Sequence, residues 1–234
     1  MVPSCVVYTN HHRIGQPEFI ESQTEWAGKW NKENINYHVT YHQSLKLITD
    51  RQLRTAVNIA MTTWDIEIPP TFKPVHSPSN ADIKITFEHP DQNNYFKDKP
   101  SVLAYAFFPE QGTYSGTVVF NAAYIWDLKG KGIKAKEAIR LGLIENAGNP
   151  DNILKTYNVY HVLIHELGHS IGLRHDVTGL NEGRDVMDPF YKGDVLDLSD
   201  RDINRIRIKY GQREFKNIRK YERLKRWLIR RIRR

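Results

Sequence analysis

The 234-residue chain reads as an α/β or α+β domain: one sheet carrying a few helices. Three observations lead there. Strand-like alternation is concentrated in the first half of the chain. The strongest helical patterns flank it or follow it. With 40% hydrophobic and 11% aromatic residues, the chain can bury one real core and leave room for appendages.

Residues 1–30 show no clear period and read as an extended leader. Ile35 to Tyr41 (Ile-Asn-Tyr-His-Val-Thr-Tyr) alternates and is rich in β-formers, so it predicts a strand. Thr49 or Asp50 can cap a helix whose apolar residues Leu53, Ala56, Val57, Ala60, Met61 and Trp64 recur at helical spacing. Pro69-Pro70 closes that unit. Ala81 to Phe87 alternates again, and Val102–Phe108 and Thr117–Phe120 form two further apolar strands around a Gly-containing turn. Residues 128–156, richer in Lys, Gly and Asn, look inserted, with a short helix near Ala135–Leu143. A helix follows from about Tyr157 to Ser170. Ser199 caps the last helix of the domain, with Ile203, Ile206 and Tyr210 on its apolar face.

A single cysteine excludes an intrachain disulfide framework, which fits a reducing compartment or an exported protein without bridges. No apolar run approaches the roughly 20 residues that span a bilayer, and residues 1–10 lack the basic and apolar regions of a signal peptide. The net charge of +7 is unevenly placed. From Gly211 to Arg234 the chain carries eleven Lys or Arg and two Glu, net +9, so residues 1–210 sum to −2. The high pI therefore belongs to the tail. There Tyr221, Leu224, Leu228 and Ile232 recur at helical spacing beside Trp227, which predicts a cationic amphipathic helix over 212–234. Such a helix can pack on the domain with a solvated basic face, lie on an anionic membrane surface or dock on an acidic partner. Nucleic acid is the least supported partner, because no base-reading motif accompanies the charge.

The chemistry concentrates in His165-Glu166-Leu167-Gly168-His169-Ser170-Ile171-Gly172-Leu173-Arg174-His175. His165 and His169, four apart on a helix, share one face and can take two corners of a zinc tetrahedron. Gly172 can adopt the left-handed conformation that ends a helix, letting His175 turn back as third ligand. Three neutral imidazoles leave one position open, as a catalytic zinc requires. Glu166 is then placed to act as general base on a zinc-activated water in peptide hydrolysis. His161, one turn before His165, reads as a packing residue rather than a ligand.

This segment is identified as the metzincin signature, and the surrounding stretches resemble the matrixin (matrix metalloproteinase) branch over about residues 30–211. The resemblance rests on Ile35–Val39, Ala81–Phe87, Val102–Ala106, Val186–Tyr191 and Leu198–Gly211. It implies a twisted, mostly parallel five-stranded sheet with an antiparallel edge strand, an active-site helix and a C-terminal helix. It divides the chain into a leader or short pro-segment (1–30), a catalytic domain (31–211) and the basic tail (212–234). By position, Met187 is the Met-turn residue beneath the zinc. Leu103 and Ala104 pair with a protein or peptide substrate through their backbone, and Pro189, Phe190 and Tyr191 line the pocket for the residue after the cut. The family also suggests extracellular action. Tyr105 and Val119 stand where its structural zinc needs histidines, and Asn121 where an Asp of its calcium loops is usual. These departures speak against a second zinc and against calcium. Asp176, after the third His, resembles the adamalysin branch, which relies on disulfides this chain cannot form. Cys5, in Pro3-Ser4-Cys5-Val6, resembles the core of the family's cysteine switch, although the residues that normally secure the switch are missing; a free thiol is the other reading. A rival class is a binding module, a metzincin scaffold targeted by its tail, but the retained Glu166 argues against it.

Overall fold

The structure, a computed structural model, describes residues 5–8, 27–146, 148–176, 185–193, 195–214, 223–224, 226–227 and 230. In chain order its elements are β1 (Cys5–Tyr8), β2 (Asn34–Val39), α1 (Asp50–Asp65), β3 (Thr71–Pro74), β4 (Ile83–Glu88), α2 (Asn94–Asp98), β5 (Val102–Ala106), β6 (Val118–Asn121), β7 (Trp126–Asp127), β8 (Ile133–Lys134), α3 (Ala135–Arg140), β9 (Ile153–Leu154), β10 (Tyr157–Asn158), α4 (Val159–Ser170) and α5 (Asp200–Tyr210). The main sheet runs β1-β5-β6-β4-β2-β3. Strands β3, β2, β4 and β6 are parallel, and β5 is antiparallel to β6. This is the expected mixed α/β architecture.

Two strands of the main sheet were not legible. β3 follows Pro69-Pro70 directly and pairs in parallel with β2, Asn34 opposite Thr71. Its Pro74 is tolerable because the strand lies at the sheet's edge. β1, within the segment read as an extended leader, pairs antiparallel with β5 and makes it an interior strand.

Helix α1 begins as its cap residues dictate. Thr49 Oγ1 accepts from the Gln52 backbone N–H at 3.2 Å, and Gln52 Oε1 accepts from the Thr49 N–H at 2.9 Å. All six apolar residues predicted for its inner face are buried, and each large one contributes about 1.5–3 kcal/mol. That face packs on α4, where Trp64 Nε1 donates to the Ile164 carbonyl at 3.0 Å. The core fills the space between these helices and the sheet. The inserted region folds as the antiparallel pair β8–β9 with α3. At the other end Arg213 donates to the carbonyls of Asp65, Ile68 and Pro70 at 2.6–2.8 Å, fastening the chain after α5 to the end of α1. In the basic tail, 223–224, 226–227 and 230 are helical, with Leu224 and Trp227 exposed. Tyr221, Leu228 and Ile232 lie outside the described residues. No helix of the described residues is long and apolar enough to cross a membrane.

Candidate metal centre and active site

Helix α4 starts at Asn158, whose side-chain oxygen accepts the Tyr160 and His161 backbone N–H groups. All twelve residues of α4 are buried, so its functional side chains are held by packing on every side. It ends where Gly172 takes φ +97°, the left-handed turn expected of it. A Cβ at Gly172 would also collide with the carbonyls of Ala27 and Gly28, and the Ala27 N–H donates to the Gly172 carbonyl at 3.0 Å. Glycine is thus required twice over, by conformation and by space.

The turn brings His165, His169 and His175 together, with ring centroids 4.6–5.2 Å apart. Among the described residues they form a group able to hold a metal ion. His165 Nδ1 donates to the Val186 carbonyl and His169 Nδ1 to the Leu173 carbonyl, each at 2.6 Å. These bonds fix the tautomer: the Nε2 atoms, 2.9 Å apart, are left as the bare nitrogens that a metal needs. Burial pushes His165 down to about 3, partly offset by the bond to Val186, and pushes His169 well below its usual value. Both imidazoles are therefore neutral at physiological pH. Three convergent, buried imidazoles fit a zinc ion with one position left open. Glu166, fully buried, adjoins the first of them on the same helix.

Met187 is fully buried, and its Sδ packs against the backbone of Gly168, between the two helical histidines, so closely that a Cβ there would overlap it. This explains why glycine precedes the second histidine. The turn holding Met187 is pinned from α5: Asp202, also buried, accepts from the N–H groups of Val186 (2.9 Å) and Met187 (3.4 Å) while closing the capping box with Ser199.

A family model described as Matrixin matches residues 29–211. The chain belongs to the matrixin family. Among curated relatives, karilysin of Tannerella forsythia is 27% identical over 189 residues, 79% of this chain and 34% of its own length. Macrophage metalloelastase of Rattus norvegicus is 30% identical, covering 78% and 34%, and metalloendoproteinase 1-MMP of Arabidopsis thaliana 26%, covering 74% and 44%. The chain thus spans between about a third and under a half of the length of these relatives.

The matrixin fold places the other predicted residues as follows. Leu103 and Ala104 lie in β5, fully buried, with Ala104 opposite Val7 of β1. The pairing shifts register between Val7 and Tyr8, passing over Leu103. Pro189, Phe190 and Tyr191 follow the Met187 turn. The Tyr191 hydroxyl accepts the Asn158 N–H at 2.8 Å, and its ring stands edge-on to Tyr157 and His161 at 5.2 and 4.9 Å. His161 accordingly packs against this wall. The backbone of Cys5 is opposite Ala106.

Tyr105 and Val119 face each other across β5 and β6, within a cluster with Phe96, Val102 and Phe107. The Tyr105 hydroxyl accepts from Asn93 Nδ2 at 2.8 Å, and the same amide donates to Glu88 at 2.7 Å. His89 pairs with Asp91 at the exposed surface.

Two residues that sequence reasoning passed over complete the site's support. Trp30 donates from Nε1 to the Ser170 carbonyl and from its backbone to the Tyr210 hydroxyl, which itself donates to the Ile171 carbonyl. The second is Asp202; its spacing from Ser199 gives the cap in the sequence, but nothing there gives its reach to the Met187 turn.

Proposed function

We propose that this chain is a zinc-dependent endopeptidase of proteins or peptides, with residues 31–211 as its catalytic unit. The observation that carries this reading is one helix presenting His165, Glu166 and His169, with Gly172 returning His175 to the same point. His165, His169 and His175 would hold the metal. Zinc in such a site supplies a Lewis acid that activates water and polarises a peptide carbonyl. Glu166, fully buried in α4 next to His165 in sequence, would accept the water proton and deliver it to the departing amine. Met187 forms the apolar floor, and Pro189, Phe190 and Tyr191 line the pocket for the residue after the cut. The aromatic cluster at Tyr105 supports a single zinc and no structural one. The printed name of the Arabidopsis relative, a metalloendoproteinase, agrees with endoproteolysis. Action outside the cell is part of the reading, through family membership.

Substrate pairs along β5 as an added strand, with Leu103 and Ala104 at its centre. The support is β1, which takes that place as an antiparallel strand next to α4. Residues 5–8 therefore compete with substrate, and Cys5 serves the same occlusion. The basic tail is read as a dock for an anionic membrane surface or an acidic partner rather than nucleic acid.

The decisive test is cleavage of casein and of a quenched peptide library by the full chain, with and without chelator. Activity is expected to vanish with chelator and to fall about 10²–10⁴-fold in Glu166→Ala with zinc retained. Equal turnover by wild type and Glu166→Ala would sink the enzyme reading. Val7→Pro and Cys5→Ser are expected to lower KM for peptides; unchanged KM in both removes the competing-strand reading.

A further inference from the structure

We infer that Arg205, acting with Asp176, is a positioning residue for the third histidine. The inference rests on the metal-site reading above. The segment that carries His175 follows a glycine turn and belongs to no helix or strand, so something outside it must hold the imidazole in place. His165 and His169 are carried by α4, and the residues on either side of His175 are reached from α5. The carbonyl of Arg174, immediately before it, accepts from Arg205 Nη2 at 3.0 Å. The carboxylate of Asp176, immediately after it, lies 3.8 Å from Arg205 Nη1 and 3.6 Å from Arg201 Nε. The Asp176 N–H donates to the Met187 carbonyl at 2.9 Å. One guanidinium therefore donates to the backbone before the ligand and stands within ion-pair range of the carboxylate after it.

The arrangement needs arginine specifically. Its planar guanidinium can donate to one acceptor from Nη2 while its delocalised charge lies beside a second, which a lysine ammonium on a flexible stem does less well. Arg201 and Arg205 are one turn apart on α5 and so share a face. Arg201 also reaches Asp185 at 3.7 Å, so α5 ties the His175 segment to the start of the Met187 turn. Between the two arginines lies Asp202, which holds that turn's N–H groups. A single helix thus sets both the third ligand and the floor.

Burial makes the pair consequential. The side chains of Asp176 and Arg205 are 5% and 9% exposed. Without its arginine neighbours a buried carboxylate is an uncompensated charge that is drawn towards water. Asp176 is one residue from His175, so such a movement passes directly to the ligand. Metal sites tolerate only about 0.2 Å of error in ligand distance, and loss of a supporting partner typically weakens metal binding about 10–100-fold.

The test is zinc affinity of the full chain, measured by competition with a chromophoric chelator, together with the visible spectrum of the cobalt-substituted protein. Arg205→Met is expected to bind zinc about 10–100-fold more weakly than wild type and to change the cobalt band shape, with Arg205→Lys intermediate. The control is Arg207→Met on the same helix, which loses the ion pair to Glu67 but touches nothing near His175; it should keep wild-type affinity and spectrum. Wild-type affinity and cobalt spectrum in Arg205→Met overturn the inference, as do equal losses in the two Met variants, which would mean that α5 acts only through general stability. Failure of the wild type itself to bind zinc would instead overturn the metal-site reading, and this inference with it.

Discussion

Replacing Gly168 by alanine separates packing from helix propensity. In an open helix this change gains about 1 kcal/mol. Here the new methyl group would fall onto the Met187 Sδ and lie 3.1 Å from the Trp64 ring. Neither neighbour can retreat easily, because both are fully buried. Overpacking of this kind costs about 1–3 kcal/mol, so the net expectation is a loss of about 1 kcal/mol where propensity alone predicts a gain of that size. Met187→Ala should cost about 2–5 kcal/mol by leaving a cavity. The double variant should cost less than the sum, by roughly 1 kcal/mol or more, since the alanine methyl enters the vacated space. Urea unfolding followed by tryptophan fluorescence, with chelator present to remove any metal contribution, measures all three. A stabilised Gly168→Ala, or additivity within about 0.5 kcal/mol, would refute the claim that the glycine exists to admit the thioether.

Tyr105→Phe should cost about 1 kcal/mol by removing an acceptor from the Asn93 amide, while metal analysis by mass spectrometry still finds one zinc per chain; two zinc ions in the wild type would contradict the aromatic replacement of the structural site. Thr49→Ala should cost about 1 kcal/mol in thermal or urea unfolding through loss of the α1 capping box. Burial pushes the Tyr37 and Tyr157 phenols up to about 12, with nearby ionisable groups adding to it. Their folded values lie above the unfolded value, so their contribution is intact below about pH 10 and is lost as pH rises from about 10 to 12; stability measured across that interval should fall, and a flat profile would oppose the assignment.

The sequence was most legible where one local signal sufficed. Thr49, Gln52 and the inner-face residues of α1 obey the helical period and its cap, and the structure follows them. The His165–His175 segment carries its own geometry, because a helical spacing and one glycine bring three histidines together. Ser199 announced α5 in the same way. Legibility failed where a residue's role depends on distant partners. Thr71–Pro74 has no alternation of its own and becomes a strand because β2 offers it an edge. Residues 5–8 lack a period and gain regularity only against β5. Trp30 looked like part of a featureless leader, yet it reaches carbonyl and hydroxyl groups more than a hundred residues away. Arg205 has no signal of its own in the sequence, and only the fold brings it to Arg174 and Asp176.

The pairing of β1 with β5 also bears on how this chain behaves in a crowd. Val102-Leu103-Ala104-Tyr105-Ala106 is an uncharged, proline-free, β-prone run. A strand of that composition at an uncovered sheet margin is a template on which a second copy can add its own backbone, the first step of self-association. While residues 5–8 lie along it, that margin is satisfied within the chain. Preparations in which the segment is cut away are therefore expected to need peptide or inhibitor in the cleft to remain monodisperse, and light scattering of cut and uncut protein at equal concentration would measure how far one short strand protects this domain from itself.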